Sequence, residues 1–220
     1  MTRNDFIALL LFSSFCGTIN AEKLPNDIRW VTQSKEYASL CKQTYQLAQS
    51  VFVPKLKQAK GNLAIVMDLD ETVLDNSKYQ IERSELDLGF TQESWSAWVK
   101  RKEAELIPGA KEFIRKTRSF PIRIIFISNR MNDNLKPTKE NLWDLGILSP
   151  NDVFLLRKNK ADTKEKRRAE VLAGTGRMSR IGPVKVIAYF GDAMGDFPKQ
   201  AEKDFGETNF ILPNPMYGKW

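Results

Sequence analysis

One stretch constrains the fold more than any other: an apolar, β-branched run at 63–67, LAIVM, that passes straight into Asp68-Leu69-Asp70-Glu71-Thr72. Such a run reads as a strand buried on both faces. Burying a carboxylate is costly unless it is paired or metal-bound, so a strand that delivers two acidic residues to its own C-terminal end has a use for them. Further apolar runs follow at 122–127, 153–156 and 184–189, with a shorter fifth at 210–212. Between them lie segments of helical spacing at 109–118, at 137–145 and from near Asp162 onward. Strand and helix in alternation predict an α/β fold, a parallel sheet flanked by helices on both faces. An earlier helix is expected from near Trp30, with Cys41, Tyr45, Ala48 and Phe52 on its apolar stripe.

The segment between the first two strands is longer than a crossover requires. It carries Trp95, Trp98 and many charges, and it predicts a small, mainly helical cap insertion at about 75–107. A chain of 220 residues accommodates one domain with such an insertion. There is no internal repeat and no low-complexity tract.

At the N-terminus, Arg3 precedes an apolar run at 6–15, and small and polar residues follow up to Ala21. This is the tripartite form of a secretory signal peptide, so cleavage after residue 21 is expected, leaving 22–220 as one domain in a periplasmic or secreted location. Cys16 offers a second reading as a lipid-attachment site, which would tether the chain to a membrane; bulky Phe15 stands where lipoprotein signals want a small residue. Cleavage leaves Cys41 as a buried thiol with no disulfide partner.

Formal net charge is +7, which favours anionic partners. Much of the excess lies at 157–180, where no aromatic residue is available for base stacking and Asp162, Glu165 and Glu170 are interspersed. A solvated helix face, with Lys158, Lys166, Arg167 and Arg168 as surface charges, is expected there; a nucleic-acid partner is not.

Ligands of open parallel sheets bind beyond the carboxyl ends of the strands. Those ends supply Asp68 and Asp70, then Ser128-Asn129-Arg130, then Gly191-Asp192-Ala193-Met194-Gly195-Asp196, with Lys158, Lys160 and Lys164 after the third strand. Carboxylates suit a hard divalent cation, while amides, a hydroxyl and an ammonium suit phosphate oxygens. The chain has no histidine, which excludes phosphohistidine chemistry and His-rich zinc sites. Glu22 and Leu47 stand six residues after the two cysteines, so a cysteine-phosphatase loop, which needs Arg there, is absent.

The motifs DLDET, ISNR, the Lys-rich segment and GDAMGD resemble, in order, the four motifs of the haloacid dehalogenase superfamily, specifically its Asp-x-Asp-x-Thr phosphatases. Trp30, Ser34 to Tyr37, DLDETVLDNS, the Trp95 to Pro108 segment and the terminal LPNPMYGKW are similar to secreted class C acid phosphatases. The resemblance implies a Rossmann-like sheet and a magnesium-dependent acid phosphatase acting on small phosphomonoesters, nucleoside monophosphates among them, through an aspartyl phosphate. It implies Asp68 as nucleophile and Asp70 as general acid and base. Magnesium would be held by Asp68, the Asp70 carbonyl and Asp192, with Asp196 orienting the ligands or acting through water. Ser128 and the Asn129 amide would bind phosphate with a lysine, Lys164 by the spacing Lys164-x-x-Arg167 or else Lys160. Trp98 and Tyr217 would line the substrate rim.

Three rival readings accompany this one. Ser128 and Asp196 also suit helix caps. A catalytically weak binding or storage protein could keep the fold, although such relatives lack the aspartate nucleophile present here as Asp68. A phosphotransferase would use the same intermediate with an alcohol in place of water.

Overall fold

The computed structural model describes residues 24–56 and 60–218; the expected signal segment and Cys16 lie outside the described residues. In chain order, helices α1 (Asn26–Gln33) and α2 (Lys35–Leu56) precede strand β1 (Leu63–Met67). A short pair, β2 (Leu74–Asp75) and β3 (Glu105–Leu106), brackets helices α3 (Ser77–Glu85) and α4 (Gln92–Arg101). Then come α5 (Ala110–Thr117), β4 (Ile122–Met131), α6 (Leu135–Asp144), β5 (Val153–Arg157), α7 (Lys164–Ala173), β6 (Lys185–Gly191) and β7 (Asn209–Ile211).

Among the described residues, five strands form a parallel sheet in the order β5-β4-β1-β6-β7. Strand β1 is central and its five side chains are all buried, as a near-continuous apolar run demands. The pleat sends Leu63, Ile65 and Met67 into one core with Phe113 of α5 and Leu142 of α6, and Ala64 and Val66 into a second core with Val171 of α7. Chain order on the sheet reverses across β1, with β4 on one side and β6 on the other. That reversal opens a crevice at the carboxyl ends of these three strands.

The insertion after β1 folds as α3 and α4, closed at its base by the antiparallel β2–β3 pair. Thr91 and Ser94 exchange side-chain and backbone bonds in a capping box that starts α4. Asn141 Nδ2 of α6 donates to the carbonyls of Lys102 and Ala104, both at 3.0 Å, tying the exit of the insertion to the main body.

Two expectations shift. The single helix expected from near Trp30 is two helices broken at Ser34, whose Oγ accepts from Tyr37 N at 3.0 Å and so starts α2. The strand expected at 122–127 continues to Met131, through an irregularity between Ser128 and Met131 where Ser128 Oγ accepts from Arg130 N at 3.1 Å; Ser128 is therefore a strand residue and caps no helix.

Phe190, just before the end of β6, is 1% exposed and packs with ring centroids 4.8 Å from Phe113, 5.1 Å from Phe210 and 5.9 Å from Tyr45. Phe190→Ala is expected to lower the unfolding free energy by about 3–5 kcal/mol, read from urea denaturation with an unchanged m-value; a loss under about 1 kcal/mol would contradict this packing.

Candidate active site

The chain turns sharply after β1. Asp68 N still donates to Phe190 O at 2.9 Å, so Asp68 continues the sheet. The amides of Val73 and Leu74 then both fold back on Leu69 O at 2.8 Å, and Glu71 takes a left-handed φ of 55°. Glu71 Oε1 accepts from the backbone and side-chain amides of Asn76, at 3.0 and 3.1 Å, which holds the far end of the turn. The result sends Asp68 and Asp70 to different neighbours.

Asp68 is buried against Lys164, whose Nζ lies 2.6 Å from Asp68 Oδ1 and also bonds Asp196 Oδ1. The Lys164 contact lies off the angle of a hydrogen bond, so Oδ1 has an ion-pair partner and no hydrogen-bond donor. Lys164 opens α7 directly after Thr163, whose hydroxyl caps the helix by accepting from Lys166 N. Asp196 Oδ2 accepts from the backbone amides of Asp192 and Ala193 at 3.2 and 3.1 Å, so Asp196 folds its own loop and meets the lysine, and it begins no α-helix. The approach needs Gly191: a Cβ there would lie 2.3 Å from Asp196 Cβ. Asp192, at the end of β6, brings a third carboxylate, and ligand oxygens of Asp68, Asp192 and Asp196 lie within 4.8 Å of one another.

Burial raises the Asp68 carboxyl well above its ordinary range despite the Lys164 charge, and the neighbouring Asp196, Asp192 and Asp70 push in the same direction. Burial, then Asp196, pushes Asp192 up to about 6. Burial alone would lower Lys164, but Asp68 and Asp196 outweigh it and hold the ammonium form above its usual range. Three carboxylates around one ammonium leave two negative charges unbalanced. All-oxygen donors, an undonated Asp68 Oδ1 and this excess charge fit a hard divalent cation.

Asp70 sits elsewhere. Its Oδ1 takes Arg130 Nη2 at 2.7 Å, Arg130 Nε at 2.9 Å and Asn76 Nδ2 at 3.1 Å, and its Oδ2 accepts from Ser128 Oγ at 3.2 Å. Asn76 is fully buried and its Oδ1 in turn accepts from Trp98 Nε1 at 2.8 Å and Arg130 Nη2 at 3.3 Å. Arg130 also donates to Thr138 Oγ1 at 3.1 Å and lies over the Trp95 ring.

The structure thus brings Asp68, Asp70, Ser128, Lys164, Asp192 and Asp196 to one sheet edge. Asn129 lies beside them, exposed, with Oδ1 accepting from Arg167 Nη2 at 2.7 Å. Lys160 is exposed, and Lys164 is the lysine that reaches Asp68. Tyr217 is 38% exposed. Trp98 departs from the expected rim position: it is 2% exposed and packed within the insertion, with its ring nitrogen donating to Asn76.

Arg167 and Arg168 are corrected as well. Arg167 is fully buried, donating to Ser128 O at 2.5 Å and Leu155 O at 3.0 Å, and burial pulls it down to about 10. Arg168 Nη1 donates to Gly195 O at 2.7 Å. Arg167 thus binds carbonyls of β4 and β5, and Arg168 a carbonyl of the loop after β6. Lys158 and Lys166 are exposed, as expected. Among the residues that sequence reasoning missed, Arg130, Arg167 and Arg168 had partial signals: Arg130 is two residues from Ser128 on one strand, and Arg167 and Arg168 are three and four residues from Lys164 on one helix, whereas Asn76 had none.

Comparison with known proteins agrees with this geometry. Residues 18–220 match the family model for the HAD superfamily, subfamily IIIB (Acid phosphatase). Two solved structures of the class C acid phosphatase from Bacillus anthracis, one with tungstate bound, are 32% and 31% identical. Each alignment covers 88% of this chain and 84% of the other, with a TM-score of 0.75. Fold and site define a phosphatase of the haloacid dehalogenase type, and the chain belongs to the subfamily IIIB acid phosphatases of that superfamily.

Raised carboxyls hold protons more tightly in the folded chain than in the unfolded one. Their contribution to stability is therefore present below the ordinary carboxylate range and lost as pH rises through the folded values, about 6 for Asp192. No histidine titrates in this window. Metal-free protein in chelator is expected to lose several degrees of Tm between about pH 5 and about pH 7, and a divalent cation is expected to restore them. A Tm that is flat or rises across this interval in chelator would contradict the charge balance of the site.

Proposed function

We propose that this phosphatase is magnesium-dependent and hydrolyses small phosphomonoesters by carrying the phosphoryl group on Asp68. What carries the reading is the buried Asp68–Lys164 pair beside Asp192 and Asp196, at the end of the central strand. Asp68 attacks phosphorus, and the bond from phosphorus to the leaving oxygen breaks. Asp70 gives its proton to that oxygen. Asp70 then takes a proton from water as the water attacks the phosphoryl group on Asp68, releasing inorganic phosphate and restoring both carboxyls.

Lys164 balances charge on the transferring group, while Ser128 Oγ and the Asn129 amide bind its outer oxygens. Arg130 and Asn76 fix the orientation of the Asp70 carboxylate, and the Ser128 hydroxyl, which donates to Asp70 Oδ2 here, turns its one proton to the phosphate when substrate binds. Asp68, the Asp70 carbonyl and Asp192 would hold magnesium, which when bound offsets the negative charge that otherwise repels a phosphate. Asp196, with both oxygens engaged by Lys164 and by amides, supports this set from behind. Tyr217 forms the substrate rim, suited to a nucleoside or aryl leaving group. The tungstate-bound relative supports an oxyanion site in this fold. Export under a cleaved segment 1–21 completes the proposal, and among the described residues no helix is long and apolar enough to cross a membrane.

Phosphate release from p-nitrophenyl phosphate and nucleoside monophosphates is expected to stop on adding EDTA and to return with magnesium. Asp68→Asn is expected to lower kcat by at least about 1,000-fold with the fold retained. Undiminished turnover in EDTA or in Asp68→Asn would overturn the mechanism.

A further inference from the structure

We propose that Asn214 is a positioning residue for the Asp192 carboxylate, which makes the segment 212–218 part of the metal site. The inference rests on the reading of Asp192 as a metal ligand. Asn214 Nδ2 donates to Asp192 Oδ2 at 2.8 Å. The amide cannot be reversed without loss, because Asn214 Oδ1 accepts from Met216 N at 3.0 Å and so points its NH2 at Asp192.

The segment that presents Asn214 has no helix or strand, so contacts and covalent geometry must fix it. Leu212 is 1% exposed and its amide donates to Gly191 O at 2.9 Å, joining the segment to β6 one residue before Asp192. Pro213 and Pro215 flank Asn214 and lock φ on either side. The carboxylate held this way stands among like charges, Asp68 and Asp196, that push it away from the site. Among the described residues, Asn214 is the side chain that donates a hydrogen bond to it. Pinning Oδ2 leaves the second oxygen for a cation, and outer hydrogen bonds of this kind are worth about 10–100-fold in metal affinity.

The test measures magnesium binding to purified protein by calorimetry and by the magnesium-induced rise in Tm, with Asn214→Ala and the near-isosteric Asn214→Leu beside Asp192→Asn. Expected is a Kd for magnesium weaker by about 10–100-fold in both Asn214 variants, with Tm in EDTA close to the parent value. The magnesium concentration for half-maximal phosphatase activity is expected to rise in step, with kcat at saturating magnesium changed little. Parental magnesium affinity in Asn214→Ala or Asn214→Leu overturns the proposal, as does a lowered Tm in EDTA with an unchanged magnesium shift, which marks a merely structural residue. Absence of magnesium binding to the parent protein overturns the metal reading itself, and that result is distinct because it appears before any substitution is made.

Discussion

A buried ammonium among three carboxylates is the interaction on which the rest of this structure depends. Each partner would be costly alone in the interior, and the group survives because Lys164 contacts Asp68 and Asp196 at once. The architecture is arranged to make that meeting possible. Gly191 lets the 191–196 loop close on itself, and Thr163 starts α7 where its first residue reaches the sheet. Arg167 and Arg168, from the next turn of the same helix, hold the carbonyls of Ser128, Leu155 and Gly195. One helix therefore fastens β4, β5 and the loop after β6 around Asp68.

The second acid of the motif obeys the opposite logic. Asp70 stands only two residues from Asp68, yet it lies on a guanidinium, an amide and a hydroxyl rather than among like charges. The two carboxyls of the motif thus reach one crevice with separate partners, Lys164 for Asp68 and Arg130 for Asp70. The helical insertion enters this picture through Trp98, which orients Asn76 and thereby Asp70. Its tryptophan thus steadies the Asp70 carboxyl from within the core.

Much of this was legible in the chain. The apolar runs at 63–67, 122–127, 153–156 and 184–189 placed four parallel strands, because strands buried on both faces carry near-continuous hydrophobicity. Their ends placed Asp68, Asp70, Ser128 and Asp192, because chemistry gathers at carboxyl ends of such strands. What stayed hidden was burial. A basic run of alternating sign reads as a wet helix face, and nothing local reveals that Arg167 and Arg168 turn inward to carbonyls supplied by a distant strand and a distant loop. Trp98 misled for the same reason: an aromatic near a motif suits a substrate wall or a core, and only packing decides between them. Asn214 was invisible because its partner lies 22 residues away across a segment without regular structure.

The central claim is that Asp68 carries the phosphoryl group. The measurement that tests it most directly is to quench the enzyme with borohydride during turnover and map the modified residue by peptide mass spectrometry. Reduction of an acyl phosphate converts its aspartate to homoserine, so the account predicts homoserine at position 68, dependent on substrate and absent in Asp68→Asn. Steady turnover with position 68 unmodified, or with the label at another carboxyl, would contradict it.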